Sequence, residues 1–253
     1  MSTSVIKAFL VTCFITLLSI SAHADVVDEI ERNFNVEHNS TFELDNINGS
    51  VAITAWENST IRVSATIKAD SQEDRDNVVI DMQQTSSGVS VETRYKKRNS
   101  WKHNRSGKVE YIIMVPKSIS LSAINLVNGS LTIDNVQGLV QAELVNGSIK
   151  ASGLANNSNL SSVNGSIKVT YSELAIDLSH INIDTVNGSI KLLVPHSLNA
   201  NVKAETMHGS IKTDLGLVAE KNLFTGRHLQ GEIGSGGVDV TLTSVNGSIK
   251  LLK

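Results

Sequence analysis

One six-residue pattern, Val-Asn-Gly-Ser-Ile-Lys, constrains this chain more than any other feature. It recurs seven times with small changes: Ile47-Asn48-Gly49-Ser50-Val51, Val127-Asn128-Gly129-Ser130-Leu131, Val145-Asn146-Gly147-Ser148-Ile149, Val163-Asn164-Gly165-Ser166-Ile167, Val186-Asn187-Gly188-Ser189-Ile190, Met207-His208-Gly209-Ser210-Ile211 and Val245-Asn246-Gly247-Ser248-Ile249. Successive glycines lie 80, 18, 18, 23, 21 and 38 residues apart. Two consecutive spacings of 18 fit the coils of a solenoid, and 23 and 21 fit the same coil with loop insertions. The interval of 38 has room for one degenerate extra coil. A unit of about 20 residues with two short strands cannot bury an apolar face alone, so it must stack on copies of itself.

Side-chain parity places a corner inside the hexad. Before it, the inward set is Val140, Ala142 and Leu144, or Ile181, Ile183 and Thr185. After it, the inward set is Val145, Gly147, Ile149 and Ala151, or Val186, Gly188, Ile190 and Leu192, with Lys150 and Lys191 outward. Two adjacent inward residues, Leu144-Val145 or Thr185-Val186, mean a phase slip. Strands have period two, so a slip is a bend or bulge. Asn and Gly tolerate φ > 0 at such a bend. The expected structural corners are therefore Asn48-Gly49, Asn128-Gly129, Asn146-Gly147, Asn164-Gly165, Asn187-Gly188, Gly209 and Asn246-Gly247. Asn-Gly is also a strong hairpin signal, which makes a meander the rival geometry. The near-constant period favours stacked coils. Coils ~4.8 Å apart would bring equivalent Asn and Ser side chains into hydrogen-bonded ladders along the outside of the corner.

The remainder agrees with an all-β chain. Val, Ile, Leu, Thr and Ser dominate, aromatics make up 4%, and Pro116 and Pro195 are the two prolines. Residues 1–24 read as a secretory signal, with Lys7 before the apolar run 8–20 and Ala22-His23-Ala24 at the expected cleavage site. That run is too short to span a bilayer comfortably. Without this segment the chain would start at Asp25, carry no cysteine and, having lost Lys7, shift from a net charge of −3 to −4. An exported chain without cysteine has no disulfides, so packing and hydrogen bonds must hold it together. The acidic balance argues against nucleic acid as a partner. Residues 25–118 hold alternating runs, such as Ile61–Ile67, Val89–Thr93 and Val109–Ile113, that predict an N-terminal antiparallel β region. The polar segment Ser71–Asp76 predicts a short capped helix or a polar loop. Residues 119–253 form the continuous repeat, with the boundary near Pro116.

The order of motifs carries a family resemblance. TFELDNINGS is followed by a variable strand region, then YIIMVPKSISLSAINLVNGSLTI, then VNGSIK units, and finally LQGEIGSGGVDVTLTSVNGSIKL. Taken together this resembles the bacterial putative-adhesin family of β-strand-repeat proteins, a domain of unknown function, over essentially the whole chain after residue 24. The resemblance implies a β-solenoid-like fold and an envelope location. It implies no activity, and the family defines no catalytic residues to carry over. His208 stands where the hexad has Asn.

Two basic features are the candidate contact sites. Lys150, Lys168, Lys191, Lys212 and Lys250 share one hexad position and form an outward column, with Glu143, Asp184 and Glu205 at a shared outward position on the preceding strand. A column of like charges is either a solvated face that deters edge aggregation or a stripe for an anionic polymer or lipid headgroup. Lys96, Lys97, Arg98, Lys102, Arg105 and Lys108 surround Trp101 and His103 in an expected long hairpin loop. A Trp among cations suits a sugar ring or a membrane interface. The histidines lack ligand spacing, so no metal is expected. Gly236-Gly237-Val238-Asp239 only approaches a calcium nonapeptide, and no Gly-x-Ser-x-Gly elbow occurs. Asn-Gly-Ser matches the N-glycosylation pattern but is accounted for as turn chemistry. No catalytic group and no cofactor are assigned. The expected function is an exported envelope binding or scaffold module, contacting a glycan, anionic polymer, lipid headgroup or envelope protein. A carbohydrate-active β-helix and an envelope-stress accessory protein are the alternatives.

Overall fold

The computed structural model describes residues 25–96, 107–172, 174–222 and 225–253. The expected signal segment and most of the basic loop lie outside the described residues. In chain order the first elements are β1 (Val26–Asn35), β2 (Thr41–Asn48), β3 (Val51–Trp56), β4 (Thr60–Ala69), α1 (Gln72–Asn77), β5 (Val78–Gln84), β6 (Gly88–Tyr95) and β7 (Lys108–Pro116). Then follow β8 (Ser120–Asn128), β9 (Leu131–Asp134), β10 (Val140–Asn146), β11 (Ile149–Leu154), β12 (Ser158–Asn164), β13 (Ile167–Tyr171), β14 (His180–Asn187) and β15 (Ile190–Leu193). The last are β16 (Ala200–His208), β17 (Ile211–Thr213), β18 (Glu220–Lys221), β19 (Arg227–Ile233), β20 (Val238–Asn246) and β21 (Ile249–Leu252).

The strands form two sheets whose inner faces share one core. One sheet runs β1-β4-β7-β3-β9-β11-β13-β15-β21-β17; the other runs β18-β19-β16-β20-β14-β12-β10-β8-β2-β6-β5. The two strands of each hexad unit lie in different sheets, so Asn-Gly turns a solenoid corner and closes no hairpin. Successive coils pair in parallel and in register, for example Ile149 with Ile167 and Ala142 with Leu160. Alternate residues such as Phe42, Leu44, Ile133, Ile167, Ile183 and Leu251 fill a single apolar core between the sheets.

The stack does not follow chain order. The closing coil, β20–β21, lies between β14–β15 and β16–β17, and the first coil, β2–β3, lies between β6–β7 and β8–β9. Both ends carry antiparallel strands: β4 and β1 beside β7, β5 beside β6, and β19 and β18 beside β16. An open parallel edge would offer unpaired backbone to other chains; these caps cover it in both sheets at one end and in the second sheet at the other, where the first sheet ends on the three-residue parallel strand β17. The interval of 38 residues therefore holds the β18–β19 cap rather than an extra coil. The helix option for the polar segment is the one realised: Ser71 caps α1 by accepting from the Asp74 amide, and Arg75 bonds Asp28 on β1.

Parity before the corner is as expected, with Val140, Ala142 and Leu144 buried. After the corner it needs correction. Val145 and Val186 are not inward; the column Ile47, Val127, Val145, Val163, Val186 and Met207 is 38–53% exposed. The slip is real but sits one residue later, where Val145 and Asn146 both face out and Ile149 resumes the core.

Candidate functional site

The corner is built from contacts between coils. Asn128 donates its Nδ2 to Asn48 Oδ1 at 2.9 Å, and Asn146, Asn164, Asn187 and Asn246 continue the same chain at 2.8–2.9 Å. All five bonds point the same way along the stack. His208 pairs in register with Asn246 at one end. At the other, Tyr95 donates its hydroxyl to Gly107 O at 2.8 Å and receives a hydrogen bond from Asn48. The Ser column is less complete: the Ser166 and Ser189 amides donate to the Ser148 and Ser166 hydroxyls, and Ser210 Oγ bonds Ser248 Oγ.

The glycines serve mainly close approach rather than backbone angle. A Cβ on Gly165 would lie 1.8 Å from Gly147 O, and one on Gly188 2.0 Å from Gly165 O. Among the hexad glycines only Gly49 and Gly147 have positive φ, and none of the hexad Asn residues does. The expected φ > 0 role is thus corrected: the side chain is absent because the neighbouring coil's carbonyl occupies its place. That carbonyl is also satisfied from inside, since Ser162 Oγ donates to Gly147 O at 3.0 Å, Thr185 to Gly165 O at 3.0 Å and Ser244 to Gly188 O at 3.1 Å. Burial without such a partner would cost about 1–3 kcal/mol per group.

The outward Lys column is brought together by this register. Along the stack its order is Lys150, Lys168, Lys191, Lys250, Lys212, on five adjacent coils. Four are exposed and Lys191 is half-buried. None forms an ion pair among the described residues. Ammonium groups kept at strand spacing repel by up to about 1 kcal/mol per adjacent pair at the dielectric of water. Of the basic loop, Lys96 follows β6 and is exposed to solvent, whereas Lys97, Arg98, Trp101, Lys102 and Arg105 lie outside the described residues. Lys108 sits on β7, where it and Lys68 hold the Glu110 carboxyl below the usual carboxylate range through hydrogen bonds, Lys68 foremost.

Two grooves among the described residues lie at the corners of the coils. One, of about 290 Å³, runs along the outside of the corner over β2, β8, β10 and β12, between Asp45 and Glu143 on one wall and Ile47, Val127, Val145 and Val163 on the other. Strand alternation along the sequence hides this groove, because it buries the Val column; the signal available was the adjacent pair Val-Asn, both outward. The larger, about 660 Å³, lies at the opposite corner among Asn39, Ser118, Gln137, Asn156, Asn157 and Asp177. Asp177 is the carboxylate among its described lining residues.

A family model, the Toastrack DUF4097 domain, matches residues 21–252. The chain belongs to the Toastrack DUF4097 family. No curated protein matches it. Among solved structures, a putative cell adhesion protein from Clostridium sporogenes is similar, with 16% identity, 89% of this chain and 99% of that chain covered, and a TM-score of 0.55. That likeness shows the fold. A putative adhesin from Bacteroides fragilis has 12% identity, 89% and 96% coverage, and a TM-score of 0.44. No helix among the described residues of this Toastrack chain is long and apolar enough to cross a membrane.

Proposed function

We propose that this Toastrack protein is an exported, non-catalytic module of the cell envelope that binds a linear anionic surface along its Lys column. The observation that carries the reading is five lysines in register on five adjacent coils, without ion-pair partners among the described residues. A rigid stack holds these charges in a straight row, so a polymer or headgroup layer with repeated anions relieves their repulsion at several points at once. Summed multivalent contacts can bind well when each is weak. Export is supported by the apolar run 8–20 and Ala22-His23-Ala24. A role in adhesion is supported by the name carried by the structurally similar Clostridium sporogenes protein.

The test is binding of the purified protein to a soluble polyuronate, to polyphosphate and to vesicles of anionic lipid, each against a neutral counterpart. The variant Lys168→Glu/Lys191→Glu should weaken binding to at least one anionic probe by about tenfold or more, and the wild-type affinity should fall as salt rises. Vesicle binding alone would assign the headgroup source, and polymer binding alone the polymer. Equal binding by wild type and variant to every probe would refute the reading.

A further inference from the structure

The outside of the corner carries a second surface that complements the first. The aliphatic stripe Ile47, Val127, Val145, Val163, Val186, Val245 and Met207 occupies one position on seven coils, exposed throughout except at the half-buried Val245. Isolated exposed apolar residues are ordinary, whereas a contiguous stripe marks a contact surface. Beside it runs an outward column in the register Asp45, Asn125, Glu143, Ser161, Asp184, Thr243, Glu205. Carboxylates therefore stand on every second coil, at about 9.6 Å. Glu143 and Asp184 form no ion pair among the described residues, while Glu205 has Lys203 at 3.3 Å.

A surface with an apolar floor and an acidic wall suits aliphatic stems that end in cations. Lysine side chains lay their methylenes on apolar surface and keep the ammonium in reach of a carboxylate. The Lys column of the same molecule presents five such stems, at one coil spacing. Both columns belong to one strand stack, so the acidic column repeats at twice the Lys spacing and every second lysine meets a carboxylate. We propose that a second copy of this chain docks its Lys column into the groove between the Val stripe and the acidic column. The two patches differ, so the contact is head-to-tail: each copy keeps a free Lys column on one side and a free groove on the other. Such a heterologous contact grows into an open array unless its rotation closes a ring. An anionic polymer on the Lys column would compete with it, which couples assembly to the ligand of the proposed function without depending on that ligand.

The experiment is sedimentation velocity on the purified protein over a range of concentrations, at ~0.01 M and at ~1 M salt, where the screening length falls from ~30 Å to ~3 Å. At low salt the weight-average mass should climb with concentration, and at high salt the protein should be monomeric. Glu143→Lys/Asp184→Lys and Lys150→Glu/Lys191→Glu, each a pair two coils apart, should each need at least about tenfold more protein to assemble, and an equimolar mixture of the two should regain assembly, because the two reversed pairs can align with opposite signs. Val145→Ser/Val163→Ser should weaken assembly with charge unchanged; its exposed positions and an unaltered circular dichroism spectrum separate this from misfolding. A monomer at every concentration in low salt would overturn the proposal, as would assembly unaffected by the reversals or a mixture that stays monomeric. The acidic-column variant retains the Lys column, so its binding to the anionic probes reports on the proposed function separately.

Discussion

Gly165→Ala is the sharpest test of how the corners are held. The new Cβ would lie 1.8 Å from Gly147 O, 2.5 Å from its carbonyl carbon and 3.0 Å from Ser162 Oγ. Carbon and oxygen tolerate about 3.3 Å, so the two coils must part by roughly 1.5 Å at this point. Three hydrogen bonds oppose that movement: Gly147 N to Asn164 O at 3.0 Å, Ile149 N to Ser166 O at 3.1 Å and Ser162 Oγ to Gly147 O at 3.0 Å. Losing them costs about 0.5–1.5 kcal/mol each. Residual overpacking adds about 1 kcal/mol or more, which gives roughly 3–5 kcal/mol in all. The control is Gly216→Ala. Gly216 has φ 78° and no atom within 4 Å of the added Cβ. Its cost is backbone strain alone, about 1–2 kcal/mol. Urea unfolding followed by circular dichroism reads both, with the slope m checked for constancy. In a chain of this size Gly165→Ala should lower Tm by about 10 °C. A cost for Gly165→Ala no greater than that for Gly216→Ala would refute close approach as the role of the corner glycines, since a backbone-angle account predicts that order.

Two further outcomes follow from the same structure. Val163 faces solvent and Ile167 is fully buried, so Val163→Ser should change stability by about 0.5 kcal/mol or less, and Ile167→Ala should cost about 2–5 kcal/mol, as read by denaturant midpoints. Burial raises Tyr111 from its ordinary pKa of 10.0 to about 12, against a smaller lowering by the Thr93 hydroxyl. The folded state prefers the neutral phenol, so this contribution is complete below pH 10.0 and is lost as pH rises towards about 12. The loss is of the order of 2–3 kcal/mol and should show as a falling urea midpoint over that window; Tyr111→Phe should flatten the fall.

The hexad made the coil legible because register and chemistry repeat together. Its Asn residues had to meet if coils stacked, and they do, from Asn48 to Asn246. Its lysines had to align for the same reason. Strand alternation places the Val position inward, yet it faces out, because alternation assigns sides only while the strand stays regular. At Val145 and Asn146 the chain turns between sheets, and two neighbours can face out together. The acidic column was visible at Glu143, Asp184 and Glu205, but its use of alternate coils was not, because Thr243 enters the stack between Asp184 and Glu205.

That insertion separates two kinds of information. The residues alone establish that the chain is all-β, that it coils with a corner at each Asn-Gly-Ser, and which residues repeat on each face. These properties rest on local period and on contacts that every unit shares. The order of the coils emerges only in the folded molecule, with β20–β21 inside β16–β17, β2–β3 inside β6–β7, and antiparallel strands beside β7, β6 and β16. Near-identical units pair equally well with one another, so neighbour choice depends on which coils can carry a cap and which need a partner on both sides. The same long-range order gathers the five lysines into one unbroken row.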